Sequence, residues 1–295
     1  MGEQDMKKTG MKKVLVIGAT GFLGSKLMEC FGKAFSVIGT HYGPPGPNTI
    51  ALDITDAAQV QQVFAQTDPD IVILTSALTD VDLCERDQSL AWSTNVQGVA
   101  NIAAHCEHRM LIFYSTDAVF DGNRGNYAEH DRPNPINYYG RTKMEAEGIV
   151  QKIPHHLILR SYLIYGEQDS PRFVNRVIRE LREGHTVQAV TDADGTPTFI
   201  DDIADATLQL VQREKTGLYH VAGSTVLSFY DMAMTIAEVF GFSKKLILPI
   251  KNAELQRSAK RPVHASLNIE KVSREGIRMS TFREGIEKIA TRVGA

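Results

Sequence analysis

Lys13-Val14-Leu15-Val16-Ile17-Gly18-Ala19-Thr20-Gly21-Phe22-Leu23-Gly24 decides the fold. KVLVI is a short, β-branched run and reads as a buried strand. Glycines then recur at every third position, and Ser25–Gly32 has helical character. Strand, glycine-rich turn and helix in this order suit an anion. Gly18 permits a tight turn, Gly21 lets the backbone approach a pyrophosphate, and Gly24 lets the helix pack closely on the strand. The free N–H groups of the helix start then face phosphate charge. The spacing is GxxGxxG, not GxGxxG, so the motif takes its meaning from its place at the head of a βαβ array. A glycine-rich turn without a ligand is the competing reading.

Further along the chain, Phe35–Thr40, Ile71–Thr75, Met110–Tyr114 and His156–Arg160 read as strands. Helical patterns at Ala57–Gln66, Ser89–Cys106 and Asn137–Gln151 separate them, and HYGPPGPN after the second strand is a loop. Alternation of this kind implies an α/β fold, a Rossmann-type doubly wound parallel sheet with right-handed crossovers. After residue 165 strands become sparse. Pro171–Glu183, Asp202–Arg213 and Ser228–Phe240 read as helices, Leu218–Val221 as a strand, and the segment from Val272 onward contains a helix. We therefore expect a dinucleotide-binding unit over 11–166 and a smaller, mainly substrate-binding region over 167–295. Elements at about 198–222 are expected to return to the first unit.

Composition narrows the function classes. The 295 residues are 43% hydrophobic and 23% charged, as in an ordinary globular protein. A formal net charge of −3 gives no reason to expect nucleic acid or an anionic membrane. No apolar run reaches the ~18–20 residues of a membrane span. Cys30, Cys84 and Cys106 form no close pair, which suits reduced thiols in the cytoplasm. MGEQDMKKTG reads as a polar tail.

Two clusters carry chemistry. At the end of the second strand, an acid would accept the adenosine ribose hydroxyls and favour NAD. Thr40-His41-Tyr42 stands there instead, which removes a repulsion against a 2′-phosphate, and His41 is placed to approach one. NADPH is favoured over NADH, with both left open. Asp53-Ile54 suits the adenine; a turn or helix-capping role for Asp53 competes. The second cluster is Tyr139 and Lys143, at i and i+4 on one helix face. A phenol titrates near 10, and a fixed ammonium beside it is expected to lower that value. Tyr139 then exchanges a proton with a carbonyl oxygen. Tyr138 has Thr142 at the same spacing and lacks the cation. Thr116 ends the strand MLIFYST, where open α/β sheets bind ligands, and can donate to the same oxygen.

The stretches LDITD, PDIVILTSALTDVDLCE, NVQGVANIA, FYSTDAVFDG, NPINYYGRTKMEAE, LILRSYLIYG, DGTPTFIDDIADA, GLYHVAG and KRPVHASLN, with GATGFLG, span about residues 13–268. They resemble the extended short-chain dehydrogenase/reductase superfamily and, within it, the dTDP-4-dehydrorhamnose reductase family. That resemblance implies an NAD(P)H-dependent reductase of a 4-keto nucleotide sugar, with Thr116, Tyr139 and Lys143 as the catalytic set. It implies a cofactor along Gly18, Thr20, Gly21, Phe22, Leu23 and Gly24, with His41, Asp53, Ile54, Ser76, Ala77 and Leu78. Asn95 would support it from a neighbouring helix, and Lys143 would also bond the nicotinamide ribose. A nucleotide-sugar epimerase and a non-catalytic regulatory subunit like that of methionine adenosyltransferase are the alternatives it leaves. Relatives commonly pair through helices, so a homodimer is compatible, with the oligomeric state left open.

The pattern is broken at four places. Phe22 replaces a usual Gln, Ala118 an aromatic after STD, and Leu163 a Trp that packs on the sugar. Lys26 replaces a Glu that holds a metal at the dimer contact of some relatives, so no such metal is expected. His105-Cys106-Glu107-His108 lacks further ligands and reads as a solvated helix end, and His220 as structural. Asp201-Asp202 is expected to cap a helix, and Arg160 and Arg261 either to meet a sugar diphosphate or to form salt bridges.

Overall fold

The computed structural model describes residues 11–167 and 172–294. The polar tail over 1–10 and Pro171 lie outside the described residues. The first half runs β1 (Lys13–Ile17), α1 (Phe22–Phe31), β2 (Ser36–His41), β3 (Thr49–Ala51), α2 (Ala57–Thr67), β4 (Ile71–Leu74), α3 (Val81–Arg86) and α4 (Gln88–Trp92). It continues through α5 (Gly98–Ala103), β5 (Met110–Thr116), α6 (Tyr138–Val150) and β6 (His156–Tyr165). The second half adds α7 (Phe173–Arg182), β7 (Val187–Val190), β8 (Asp194–Gly195), β9 (Pro197–Phe199), α8 (Ile200–Gln212) and β10 (Gly217–His220). It ends with β11 (Leu227–Ser228), α9 (Phe229–Phe240), β12 (Ile247–Ile250), α10 (Glu270–Arg274) and α11 (Phe282–Arg292).

The main sheet is parallel, in the order β10-β6-β5-β4-β1-β2-β3, with β9 also pairing with β6. This is the doubly wound arrangement expected from the sequence. Period-two alternation explains why both faces are covered. Val14, Val16, Ile73, Ile112 and Leu159 face α1, α8 and the second-half helices, while Leu15, Ile17, Leu74, Phe113 and Ile158 face α2, α5 and α6. The strand order reverses between β1 and its neighbours β2 and β4, which opens a crevice at the carboxyl ends.

Several elements differ from the sequence expectations. α1 starts at Phe22, because Gly21 is already its N-cap. Ser89–Cys106 is not one regular helix, since a π-helical segment at Ser93–Gln97 separates α4 from α5. β6 continues to Tyr165, and the carboxyl-terminal segment holds two helices with Gly276 in the left-handed region between them. Asp201 and Asp202 do not cap α8; they lie in its first turn, where Asp201 pairs with Lys26 and Arg292 and Asp202 accepts from the Ser280 N–H. The three cysteines are free, and burial pushes the Cys84 thiol to about 11 and Cys106 to about 12. No helix among the described residues is long and apolar enough to cross a membrane.

Candidate active site

The glycine loop sits at the carboxyl end of β1. Gly18 has φ +88°, and a Cβ there would meet Ser76 Oγ at 2.7 Å and Thr75 Oγ1 at 2.8 Å. The turn therefore nests against the end of β4, beside Ser76-Ala77-Leu78. A Cβ on Gly24 would lie 2.0 Å from the Gly18 carbonyl oxygen, so close packing of α1 on the turn needs glycine at that position. β2 locks the other side: the Gly18 N–H donates to Thr40 Oγ1 at 3.3 Å, and the Ala19 N–H to the Thr40 carbonyl at 2.8 Å. α1 has no side-chain cap, and Thr20 and Gly21 are exposed. A bare helix start beside an exposed glycine turn fits a diphosphate. Phe22 is half-buried beneath the Arg172 guanidinium, 4.7 Å from ring centroid to Cζ, and Leu23 is buried.

His41 ends β2 and its Nδ1 is 2.8 Å from Thr49 Oγ1. Asp53, two residues beyond β3, accepts from the Thr55 N–H and hydroxyl at 2.8 and 2.7 Å, while Asp56 caps α2. These bonds place Asp53 Oδ1 in the turn before α2. Ile54 is buried against Gly98. Asn95, on the π-helical segment and 1% exposed, joins two parts of the site. Its Oδ1 accepts from the Leu78 N–H at 2.8 Å, and its Nδ2 donates to the Leu78 carbonyl at 3.0 Å and to Thr142 Oγ1 at 3.1 Å.

Thr116 closes β5, and its hydroxyl donates to Asp117 Oδ1 at 3.0 Å while accepting from the Ala118 N–H at 3.1 Å. The Tyr139 phenol lies beside the Thr116 hydroxyl and the Asp117 carboxyl. α6 reaches this turn because residue 140 is glycine: a Cβ there would sit 2.0 Å from the Ala118 carbonyl oxygen. Asn137 caps α6 by accepting from the Gly140 N–H at 2.8 Å and donates to the Lys260 carbonyl at 2.9 Å, which ties in the second half.

The electrostatics differ from the expectation of a lowered phenol. Burial and the Asp117 carboxylate push Tyr139 up, with the nearby Thr116 hydroxyl opposing. Lys143 is 3% exposed; its ammonium donates to the Tyr114 carbonyl at 2.6 Å and lies 3.9 Å from the Phe113 ring centroid. Burial pushes it down to about 7, with Glu147 pulling the other way. Burial lifts the Asp117 carboxyl to about 7. Two titratable groups shifted in opposite senses within one crevice are characteristic of reactive sites.

Asp117, Gly140 and Glu147 belong to the site as well. Asp117 was readable as the residue after Thr116, but its burial was not. Leu163 has φ +35° at an irregularity in β6, and Ala118 is buried on the turn. Lys26 pairs with Glu29 and Asp201, each at 3.0 Å. Arg261 donates to Asp82 at 2.8 Å and Arg160 to Glu147 at 2.6 Å, so both form salt bridges. Among the described residues, Glu180, Glu183 and His185 form the one grouping with ligand spacing, on the far end of α7; the last two are exposed.

Similarity to known proteins agrees with this geometry. The chain is 35% identical over 272 residues to a probable low-salt glycan biosynthesis reductase of Haloferax volcanii, covering 88% of this chain and 91% of the relative. It is 28% identical to the methionine adenosyltransferase 2 subunit beta of Danio rerio, over 94% of this chain and 88% of that one. The crystal structure of dTDP-4-dehydrorhamnose reductase from Bacillus anthracis in complex with NADP superposes with a TM-score of 0.89, at 29% identity, covering 96% of this chain and 99% of that one. A family model described as RmlD substrate binding domain matches residues 11–294. With this extent of match, the chain belongs to the RmlD substrate-binding-domain family, the dTDP-4-dehydrorhamnose reductase-like branch of the extended short-chain dehydrogenase/reductases.

Proposed function

We propose that the protein is an NAD(P)H-dependent reductase of a 4-keto nucleotide sugar. Residues 11–166 would hold the dinucleotide, and 167–295 would close over the sugar nucleotide. The observation that carries this reading is the close approach of α6 to the turn after β5, which sets Tyr139 beside Thr116 and Asp117 at the carboxyl end of the strand. A bound nicotinamide supplies the hydride. Tyr139 donates its phenolic proton to the oxygen of the reduced carbonyl, and Thr116 bonds the same oxygen as charge develops on it. The upward-shifted phenol supports this direction, because it keeps Tyr139 protonated and ready to donate at neutral pH. Lys143 would hold the nicotinamide ribose, and Asn95 fixes the loop Ser76-Ala77-Leu78 against α6. His41 at the end of β2 favours a 2′-phosphate, hence NADPH.

The test is consumption of NADPH and NADH by purified protein across a panel of 4-keto sugars carried on thymidine, uridine and guanosine diphosphates. Turnover with at least one supports the reading. A second reading, a regulatory subunit, is favoured by the similarity to methionine adenosyltransferase 2 subunit beta. Tight dinucleotide binding without turnover on any substrate, together with a co-purifying enzyme, would replace the reductase by that role. NAD retained and not consumed would point to an epimerase instead.

A further inference from the structure

A buried ion cluster lies directly beneath the proposed proton-transfer pair. Lys143 and Glu147 stand at i and i+4 on α6, 3% and 2% exposed. Glu147 is held from two strands. Arg160 on β6 donates its Nε to Oε1 at 2.8 Å and its Nη2 to Oε2 at 2.6 Å, and Ser115 Oγ on β5 donates to Oε1 at 2.5 Å. Ser115 is the neighbour of Thr116, and it faces Arg160 across the β5–β6 register. Arg160 is anchored in turn: its guanidinium lies 5.0 Å from the Phe120 ring centroid, and Nη1 is 3.4 Å from His220 Nε2.

We infer that Glu147 is a positioning residue that keeps Lys143 charged at the base of the site, clamped for that task by Arg160 and Ser115. The inference rests on the proposed roles of Tyr139 and Lys143. Glu147 is ion-paired with Arg160 and stands one helical turn from Lys143 on α6. His220 adds no charge, because burial and Arg160 hold it down at about 3; its Nδ1 is 3.2 Å from the Asn268 carbonyl, and its N–H donates to Glu129. On the β5 side Lys143 meets the Tyr114 carbonyl and the Phe113 ring, neither of which carries a charge. Tyr139 lies one turn away on α6, and Asp117 lies beyond it on the turn after β5. Burial alone drives the ammonium toward its neutral form, and Glu147 is the group that opposes it. Without the carboxylate two cations would share the interior. Arginine does not give up its proton, so Lys143 would be the one to discharge.

The test is the pH dependence of NADPH affinity and of kcat/KM in the wild type, Glu147→Gln and Glu147→Asp. In Glu147→Gln the alkaline limb of both profiles should move toward acid by about one pH unit or more. Affinity read on that limb should then fall about ten-fold. Glu147→Asp keeps the charge and should return the limb toward its wild-type position. If Glu147→Gln does not fold, Glu147→Gln/Arg160→Met leaves no unpaired buried charge in the pair and should move the limb in the same direction by a smaller amount, because the second cation is gone as well. A folded Glu147→Gln, or the folded double variant, whose limb stays within about 0.3 pH unit of wild type overturns the inference and leaves a purely structural ion pair. A wild-type chain that binds no NADPH at any pH overturns the functional reading, and this inference with it.

Discussion

Gly140→Ala tests how α6 delivers Tyr139. The new Cβ would lie 2.0 Å from the Ala118 carbonyl oxygen, 2.9 Å from its carbon and 3.0 Å from Pro135 Cβ. Comfortable non-bonded separations are about 3.5 Å, so α6 must retreat by roughly 1–1.5 Å from the turn that follows Thr116. The nearest atoms are backbone, and no rotamer change relieves the clash. Overpacking of this kind costs about 1–3 kcal/mol, or a fall in Tm of about 2–10 °C in a chain of this size. The retreat carries the phenol away from Thr116, and a misplacement of about 1 Å at a reacting group costs about 10²-fold. The loss should appear mainly in kcat, because the glycine loop is not among the groups displaced. Steady-state kinetics with NADPH and calorimetry on the same preparation read both quantities. A variant whose Tm falls as expected while kcat/KM stays within about three-fold of wild type would refute the link from packing to tyrosine placement. An unchanged Tm would refute the close approach itself.

Three further outcomes follow from the same geometry. Tyr139→Phe removes the proton donor without removing the ring, and turnover should fall by about 10²–10⁴ with NADPH binding retained; near-normal turnover would end the proposed role. Asp117 has a folded-state value near 7, above its ordinary 3.8, so the stability of its neutral form is complete below pH 4 and lost as pH rises through 7. Asp117→Asn should therefore stabilise more at pH 8 than at pH 5, by about 1–3 kcal/mol in melting experiments, and equal gains would show that the carboxyl is not buried at such cost. Asn95→Ala strips the Leu78 N–H and Thr142 of a 1%-exposed partner and should cost about 1–3 kcal/mol, with a loss of NADPH affinity measured by calorimetric titration. Unaltered affinity would uncouple the Ser76–Leu78 loop from the cofactor.

The parallel sheet was legible because each of its early strands is a continuous apolar run bounded by turn residues, as in KVLVI and IVIL. What escaped was short or set by distant partners. β3 has three residues and follows a Pro-Gly loop, so no periodicity marks it. β7 and β12 pair across a separation no local pattern records. At the site, Tyr139 and Lys143 were readable from helical spacing, but the direction of the phenol's shift was not. That direction depends on burial and on Asp117, which chain order places 22 residues away and folding places beside it. Glu147 looks like one more helix-surface acid until Arg160 and Ser115 arrive from two strands.

The distribution of unfavourable features bears on whether the site does chemistry or only binds. Among the described residues, Leu163 is the non-glycine residue with positive φ inside a strand, and it sits two residues past Ser161, the β6 partner of Thr116. Asn48, Asp68, Asn126 and Glu214 share positive φ but lie outside the strands, where such a conformation serves a turn. Leu163, the buried Lys143 ammonium and the raised Asp117 carboxyl each cost stability, and all three gather at the carboxyl ends of β5 and β6. Binding a dinucleotide requires the glycine turn, the bare start of α1 and the end of β2. None of those depends on Asp117 or on a phenol set beside Thr116. A chain that only bound would gain nothing from the raised Asp117 carboxyl, whereas a reductase uses the protonated phenol beside it in the transfer itself. The concentration of cost beside Tyr139 therefore favours the reductase over the regulatory subunit.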